Sequence, residues 1–237
     1  RQMCIRDRVW MTVPKHLNAW AQEFFGERFG VLGLREDYRH RIEQVVVPRL
    51  TGVSTSATRS FREDGVAVLS VESFLNAMDG LQGIPVVRKT VTLAGGPLDE
   101  PVTVRTAVGT TIKSLLASQG LKAADFGRVV MGGPMRGMAQ YTDETPLSKF
   151  QHGIYLMDED ELPSEVNLTC INCGQCTRAC PSNLQVHLIG RYVEHDLLAD
   201  AAGFHPEACH ECGLCAFVCP SHRPLLQLVK MVKKYGS

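Results

Sequence analysis

Two copies of one cysteine pattern near the end of the sequence are the residues best suited to chemistry. Each copy reads C-x2-C-x2-C-x3-C-P, and together they hold eight of the nine cysteines. The first copy contains Cys170, Cys173, Cys176 and Cys180, and the second contains Cys209, Cys212, Cys215 and Cys219. Thiolates at this spacing ligate the irons of [4Fe–4S] clusters. The pattern therefore predicts two such clusters.

The spacing also predicts which cysteines share a cluster. The first three thiolates of a copy lie on one short loop, while the fourth, which precedes proline, ligates the other cluster in two-cluster ferredoxins. The predicted ligands are Cys170, Cys173, Cys176 and Cys219 for the first cluster, and Cys209, Cys212, Cys215 and Cys180 for the second. Gly174 and Gly213 follow the second cysteine of each copy, where a side chain would crowd the cluster. No catalytic side chain is predicted.

Two other readings of the cysteines stay open. Structural zinc uses Cys4 sites, but these usually pair two C-x2-4-C knuckles, and the proline after each last cysteine has no role in such a knuckle. Disulfides belong to oxidising compartments and to small domains that lack a core. Neighbouring C-x2-C thiols are also poorly placed for a disulfide framework. Iron–sulfur ligation is the reading that the pattern favours.

Charged and imidazole side chains near the cysteines have weaker claims to a role. Arg178, His210 and Glu211 lie inside the two copies and are candidates for tuning a cluster potential, although a solvated loop position explains each of them as well. The remaining histidines of the region have no predicted role because every iron already has a cysteine; they are His187, His195, His205 and His222.

Composition excludes several classes of protein. The chain has 237 residues, of which 44% are hydrophobic and 21% charged, as in ordinary globular proteins. Its formal net charge is zero, so no overall electrostatic signature predicts nucleic-acid binding. No apolar run reaches the ~20 residues that a membrane span needs, and no signal peptide is legible. Reduced cluster cysteines without an export signal predict a cytoplasmic location.

The elements before the cysteines predict two further regions. Residues 1–84 read as a partial α/β segment: a helix with a buried aromatic stripe between Pro14 and Gly30, strands at Val45–Val47 and Gly65–Leu69, and a helix capped by Ser73 that runs to Met78. A polar helix over Asp37–Gln44 and a loop over Thr51–Arg62 complete it. Met3–Arg8 looks like translated sequencing adapter, so residues 1–8, with Cys4, are expected to be artefactual and the natural chain to begin upstream.

Residues 85–160 predict a β-grasp module, a small mixed sheet with one helix across it. The strands are predicted at Val86–Ala94, Val102–Arg105, Arg128–Met131 and Gly153–Met157, and the helix buries Ile112, Leu115, Leu116 and Leu121. An acidic linker, Asp158–Glu165, leads to residues 161–237, where apolar periodicity predicts a helix after each Cys-Pro. The predicted fold class is α+β, with a mainly helical two-cluster domain after the sheet.

From about residue 65 the sequence resembles RnfC, the peripheral subunit of Rnf electron-transport complexes, and its relatives among cobalamin reductases of the PduS type. The resemblance is carried by Arg88–Gly95, Val108–Thr110, Val130–Gly137, both cysteine copies and Cys219–Gln227. It implies that residues 85–160 form a soluble-ligand-binding β-grasp (SLBB) domain, and that 1–84 are the remnant of a flavin- and NADH-binding domain. No glycine-rich nucleotide motif occurs in 1–64, so FMN and NADH are expected only in an upstream segment and no residue is assigned to them.

The resemblance implies electron transfer within a membrane-associated NADH/ferredoxin oxidoreductase of the translocating type. The expected partners are other redox subunits of that complex or a soluble carrier such as ferredoxin, with the chain peripheral on the inner face of the cell membrane. Lys230, Lys233 and Lys234 favour an acidic partner or anionic lipid, although a solvated helix end accounts for them equally. Two alternatives stay open: a soluble corrinoid reductase and a non-catalytic redox adaptor.

Overall fold

The computed structural model describes residues 9–27, 29–35, 37–52, 61–96, 98–162 and 169–236. Residues 1–8, most of the predicted loop at 51–62 and the end of the predicted linker therefore lie outside the described residues. The strands are β1 (Trp10–Pro14), β2 (Gly30–Leu34), β3 (Arg88–Gly95), β4 (Val102–Ala107), β5 (Arg128–Met131), β6 (Met138–Ala139) and β7 (Gly153–Met157).

Short helices make up most of the remaining regular structure. They are α1 (Asn18–Phe25), α2 (Glu43–Thr51), α3 (Val71–Leu81), α4 (Ile112–Ser118), α5 (Gln175–Ala179), α6 (Val186–Glu194), α7 (Leu198–Ala202), α8 (Leu214–Phe217) and α9 (Leu225–Tyr235). Single 3₁₀ turns lie at Lys15–Leu17, Tyr38–Arg41, Phe61–Asp64, Ala123–Asp125, Glu159–Glu161 and Pro206–Ala208.

The chain groups into two compact units, whose boundaries differ from the three domains expected from the sequence. The first unit takes 1–68, 177–210 and 229–237, and the second takes 69–176 and 211–228. Each unit therefore contains part of both cysteine copies. The three-domain division at 84 and 160 stays a prediction.

A five-stranded mixed sheet forms the centre of the second unit. Its strand order is β4-β3-β7-β5-β6, in which only β3 and β7 run parallel. Its core consists of Val91, Leu93, Ile112, Leu115, Leu116, Val129, Met131, Leu147, Ile154 and Leu156. The alternation of Val91 and Leu93 along β3 and the helical spacing of Ile112, Leu115 and Leu116 direct these side chains into one layer. Helix α4 begins at Thr111, whose hydroxyl accepts from the Ser114 N–H.

The predicted strands and helix of this sheet are confirmed to within a few residues. The prediction for the helix before it is wrong at both ends. Ser70 is the cap of α3 and accepts from the Ser73 N–H, and the helix continues past Met78 to Leu81. An N-cap hydroxyl bonds the N–H three residues later, so Ser73 is the donor in this cap.

The first unit contains a small parallel β1–β2 pair connected through α1, which the sequence did not predict. The aromatic stripe of α1 is not a core: only Ala21 is buried, while Trp20 and Phe24 are 50% and 62% exposed. Their rings contact one another, with centroids 5.3 Å apart. Aromatic pairs of this kind gain from ring contact without being covered.

Two predicted strands of the first region are wrong. Val45–Val47 lies within α2, where Val46 and Val47 are buried and Pro48 is part of the helix. A three-residue apolar run has no period, so it cannot distinguish a strand from a helix turn. Only a 3₁₀ turn precedes α2, at Tyr38–Arg41, in place of the predicted polar helix. Gly65–Leu69 has no regular structure and pairs with no described strand.

The helical character of the region after residue 169 is confirmed by α5 to α9. In the first unit α6 buries Val186, Ile189 and Val193, and Tyr192 contacts Phe204 with ring centroids 5.4 Å apart. Nowhere in the described ranges does the chain form a helix long and apolar enough to cross a membrane.

Candidate metal centre

The first cysteine copy is a loop that leads into a five-residue helix. Cys170 and Cys173 are half-buried in the loop, Cys176 is buried in α5, and Cys180 is buried just after it. Asn172 has φ of 56° and Gly174 has φ of 70°. Left-handed residues within such a loop turn successive backbone N–H groups to one side, which creates a concavity suited to anions and Fe–S groups.

The second copy has the same backbone. Glu211 (φ 53°) and Gly213 (φ 83°) occupy the positions that correspond to Asn172 and Gly174 at the offset separating Cys170 from Cys209. Helix α8 then begins directly after the glycine, as α5 does. A left-handed conformation is costly for a residue with a Cβ, about 1–2 kcal/mol. Its recurrence at a glutamate and an asparagine indicates that the loop requires it.

The repeat extends beyond the fourth cysteine of each copy. The N–H of Cys180 donates to the Thr177 carbonyl and that of Cys219 to the Ala216 carbonyl, each at 3.2 Å. Asn183 (φ 53°) and His222 (φ 48°) are again left-handed at matching positions. Helices α6 and α9 start at matching residues as well. The two Cys-Pro segments therefore turn the chain in the same way.

Two serine hydroxyls connect the end of each copy with the start of the other. Ser182, two residues after Cys180, donates to the carbonyl of Ala208 at 2.8 Å. Ser221, two residues after Cys219, donates to the carbonyl of Thr169 at 3.1 Å. Ala208 and Thr169 directly precede the first cysteines of the second and first copies. The contacts are reciprocal, and they join the segments that crossed ligation requires to be close.

The eight described cysteines form no disulfides with one another. In the part of the chain that the structure describes, no three His, Cys, Asp or Glu side chains converge as ligands of a single metal ion. A Cys4 zinc site needs such convergence, with each sulfur about 2.3 Å from one ion. In a cubane each thiolate binds its own iron, so the thiolates surround a volume instead. The donor set and the inward-turning loops fit a cubane better than zinc.

The charged residues inside the copies have mainly structural contacts. The backbone carbonyl of Arg178 accepts a long hydrogen bond, 3.5 Å, from Nη1 of Arg39. Glu211 occupies one of the left-handed loop positions. The ring of His187 lies 3.3 Å from Oγ1 of Thr177. A role for Arg178, His210 or Glu211 in setting a potential stays a prediction.

Sequence reasoning missed several residues around the cysteines. Ser182 and Ser221 were detectable in principle because both copies continue Cys-Pro-Ser. Lys233 on α9 donates to the carbonyl of Cys209 at 3.2 Å, and the carbonyl of Met135 lies against Gly213. No local signal in the sequence points to these last two contacts.

The main ion pair of the second unit lies in its sheet. Lys89, only 2% exposed, points to the core side of β3 and pairs with Glu72 of α3, and the Glu72 side chain also accepts from the Thr90 N–H at 3.0 Å. Nδ1 of His152 lies 3.0 Å from Nζ of Lys89. Burial works against the Glu72 carboxylate, but the hydrogen bonds from Lys89 and Thr90 outweigh it and hold the pKa of Glu72 below its ordinary value. This pair connects α3 with the sheet.

The family model for a 4Fe–4S dicluster domain matches residues 169–222, which contain all eight cysteines of the two copies. The fold and the loops therefore define an iron–sulfur protein whose helical C-terminal region carries a dicluster domain, and eight cysteines correspond to two [4Fe–4S] clusters. This confirms the cofactor predicted from the spacing.

The chain is RnfC-like over most of its length. It is 28% identical over 189 residues to the RnfC component of a proton-translocating ferredoxin:NAD(+) oxidoreductase complex of Clostridium ljungdahlii, a match that covers 79% of this chain and 41% of that protein. It is 35% identical over 179 residues to the RnfC component of an ion-translocating oxidoreductase complex of Pseudomonas aeruginosa, covering 73% of this chain and 23% of that protein. The chain spans less than half the length of these curated relatives.

Proposed function

We propose that this chain transfers electrons through two [4Fe–4S] clusters as the RnfC component of an Rnf-type ion-translocating oxidoreductase complex. The observation that carries the proposal is the duplicated cysteine loop with its reciprocal Ser182 and Ser221 contacts. The similarity to the RnfC components of two ion-translocating complexes names the class of assembly. When bound, the clusters supply one-electron redox chemistry, and the protein supplies position and electrostatics.

The proposed ligand sets are crossed. Cys170, Cys173, Cys176 and Cys219 hold one cluster, and Cys209, Cys212, Cys215 and Cys180 hold the other. Support comes from the serine contacts, because Ser221 brings the segment of Cys219 to the start of the first copy and Ser182 brings that of Cys180 to the start of the second. Crossed sets also keep the two clusters close, as electron transfer between them requires.

The backbone contributes the remaining part of the mechanism. The left-handed residues at Asn172, Gly174, Glu211 and Gly213 turn N–H groups toward the thiolates. Hydrogen bonds from N–H to cluster sulfur lower the cost of the added negative charge on reduction. The loops therefore hold the thiolates and set the potentials, and no side chain needs to donate or accept a proton.

The finer assignment of domains belongs to the same proposal. Residues 85–160 are an SLBB-like β-grasp domain, supported by the mixed sheet with α4 packed on it. Residues 161–237 form the ferredoxin-like region, and 1–84 are the end of an upstream domain that binds flavin and NADH in the longer relatives. The chain acts on the inner face of the cell membrane, against integral redox subunits or a soluble carrier such as ferredoxin.

Anaerobic preparation tests the proposal. Two clusters require about eight irons and eight acid-labile sulfides per chain, with two electron paramagnetic resonance (EPR) signals on stepwise reduction. Zinc, or about four irons, would contradict it. For the assembly, the full-length protein should be recovered with integral-membrane redox subunits when native membranes are solubilised in mild detergent. Recovery with a corrinoid enzyme instead would favour the reductase alternative.

A further inference from the structure

The glycine-rich turn between β5 and β6 is a tight, well-supported structure. Gly133 accepts hydrogen bonds from the N–H groups of Arg136 (3.3 Å) and Gly137 (2.8 Å), and the Gly132 N–H donates to the Gly153 carbonyl on β7 at 2.8 Å. A Cβ on Gly137 would lie 2.6 Å from the Gly133 oxygen and 2.6 Å from the Val130 side chain. The turn is therefore compact and attached to the sheet on both sides.

This bonding removes one reading of the turn. A phosphate cradle needs backbone N–H groups that point to the ligand. In this turn the N–H groups of Gly132, Arg136 and Gly137 already donate to carbonyl groups of the chain. What the turn presents at its tip is a carbonyl, that of Met135.

The Met135 carbonyl lies against the second cysteine copy. A Cβ on Gly213 would lie 2.4 Å from the Met135 oxygen, and Gly213 is left-handed, with φ of 83°. Both residues belong to the second unit. Such an approach is available only to glycine, since a side chain would displace one backbone or the other. The turn therefore limits where the backbone of Gly213 can lie.

Gly213 in turn controls the direction of two predicted ligands. It follows Cys212, which is buried, and its carbonyl accepts from the N–H groups of Ala216 and Phe217, each at 3.1 Å, which start α8. Cys215 is buried within that helix. A shift of Gly213 would therefore re-aim both thiols.

We infer that the turn Gly133–Gly137 is a positioning element for the cluster held by the second cysteine copy. The inference rests on the proposed function only in taking Cys209, Cys212 and Cys215 as cluster ligands. It assigns a role to a segment of the sheet that contributes no ligand. Because hydrogen bonds to sulfur and solvent exposure set a cluster potential, movement of this turn changes the potential of one cluster selectively.

Gly137→Ala tests the inference, since its Cβ forces the turn to move. We expect this variant to lose the cluster of the second copy, with iron falling from about eight toward about four per chain, or to shift the midpoint of that cluster by at least the 59 mV of a tenfold one-electron change. The other EPR signal should keep its intensity and midpoint. Amide exchange of 212–217 should accelerate as well.

Gly109→Ala is the matched control. Gly109 also lies in the sheet unit with positive φ, 92°, but its Cβ would have nothing within 4 Å. It should leave both clusters unchanged. Pro134→Gly, which loosens the exposed tip without a clash, should give a smaller shift of the same cluster.

The outcomes separate this inference from the proposed function. If the unmutated chain lacks two clusters, the proposed function fails first. If it holds two, and Gly137→Ala and Pro134→Gly change neither or change both equally, the turn has no positioning role. Equal effects of Gly137→Ala and Gly109→Ala would overturn it in the same way.

Discussion

The two cysteine copies share a backbone but differ in their surroundings. Left-handed residues and helix starts recur at matching positions, whereas burial does not follow the repeat. Among the proposed ligand sets, the first contains the half-buried Cys170, Cys173 and Cys219, and the second has only Cys209 half-buried. The neighbours Ile171 and Phe217 are 66% and 75% exposed. Duplication therefore reproduces ligation, while the surrounding chain determines how accessible each cluster is.

The difference in burial affects electron flow. Solvent exposure is one of the factors that set a cluster potential, and a more exposed cluster is easier for a carrier to approach. The set with Cys170 is therefore the better point of exchange with an external partner, and the set with Cys180 the better internal relay. Four predictions test this contrast, in decreasing order of their effect on the clusters.

The largest effect is expected from replacing one ligand in each proposed set. Cys176→Ser should remove the cluster of the first set, and Cys180→Ser that of the second, although the two residues are close in sequence. Each variant should retain about four irons per chain, with a different EPR signal missing. If Cys180→Ser abolished the same signal as Cys176→Ser, crossed ligation would be wrong.

The serine contacts should give a smaller and selective effect. Ser182→Ala removes the bond to the residue before Cys209, and Ser221→Ala removes the bond to the residue before Cys170. Loss of one such hydrogen bond costs about 1 kcal/mol, so each variant should lose its own cluster faster than the unmutated chain.

The decay of each EPR signal in a mild iron chelator measures this loss. Ser182→Ala should accelerate loss of the second set and Ser221→Ala that of the first, so each variant is the control for the other. The same decay in both variants would show that the contacts do not distinguish the sets.

A charge difference between the copies should have a modest effect. Lys233 donates to the Cys209 carbonyl, whereas the matching position after the first copy is Glu194. A cation beside a cluster favours its reduced form, so Lys233→Gln should lower the midpoint of the second set. Because Lys233 is exposed, we expect less than the 59 mV of a tenfold one-electron change.

Lys234→Gln is the control for Lys233, because it removes the same charge one residue later. Lys234 lies over the Tyr235 ring, with Nζ 4.9 Å from its centroid. Redox titration followed by EPR should show no comparable shift for this variant. Equal shifts would reduce the effect to the overall charge of the helix end.

The smallest effect on the clusters is expected from Glu72→Gln, which acts on the sheet. It leaves the buried Lys89 without its carboxylate and should lower the free energy of unfolding by roughly 3–5 kcal/mol at neutral pH. A lowered pKa means that the pair stabilises above the ordinary glutamate value and that this is lost as pH falls through the lowered pKa. Acid should therefore narrow the difference between variant and parent in denaturant unfolding. A difference that did not change with pH would contradict the charged pair.

Much of the sheet could be predicted because its residues follow a local period. Val91 and Leu93 alternate along β3, and Ile112, Leu115 and Leu116 recur at helical spacing, so each segment contains its own evidence. The first region was harder to predict. Val45–Val47 is too short to show a period, and the apolar run at Gly65–Leu69 pairs with no strand among the described residues.

The candidate centre divides in the same manner. Residue type and spacing alone predicted the eight thiolates and two clusters, because ligand chemistry depends on which donors a short loop can present. Ser221 and Thr169 are 52 positions apart, so no local pattern connects them.

The sequence by itself therefore determined the kind of cofactor and its number, since both follow from covalent spacing within each copy. Only the tertiary structure decided which segments meet: Ser182 with Ala208, Met135 with Gly213, and Lys233 with Cys209. These contacts depend on how distant elements pack, and packing is a property of the whole core rather than of any short segment.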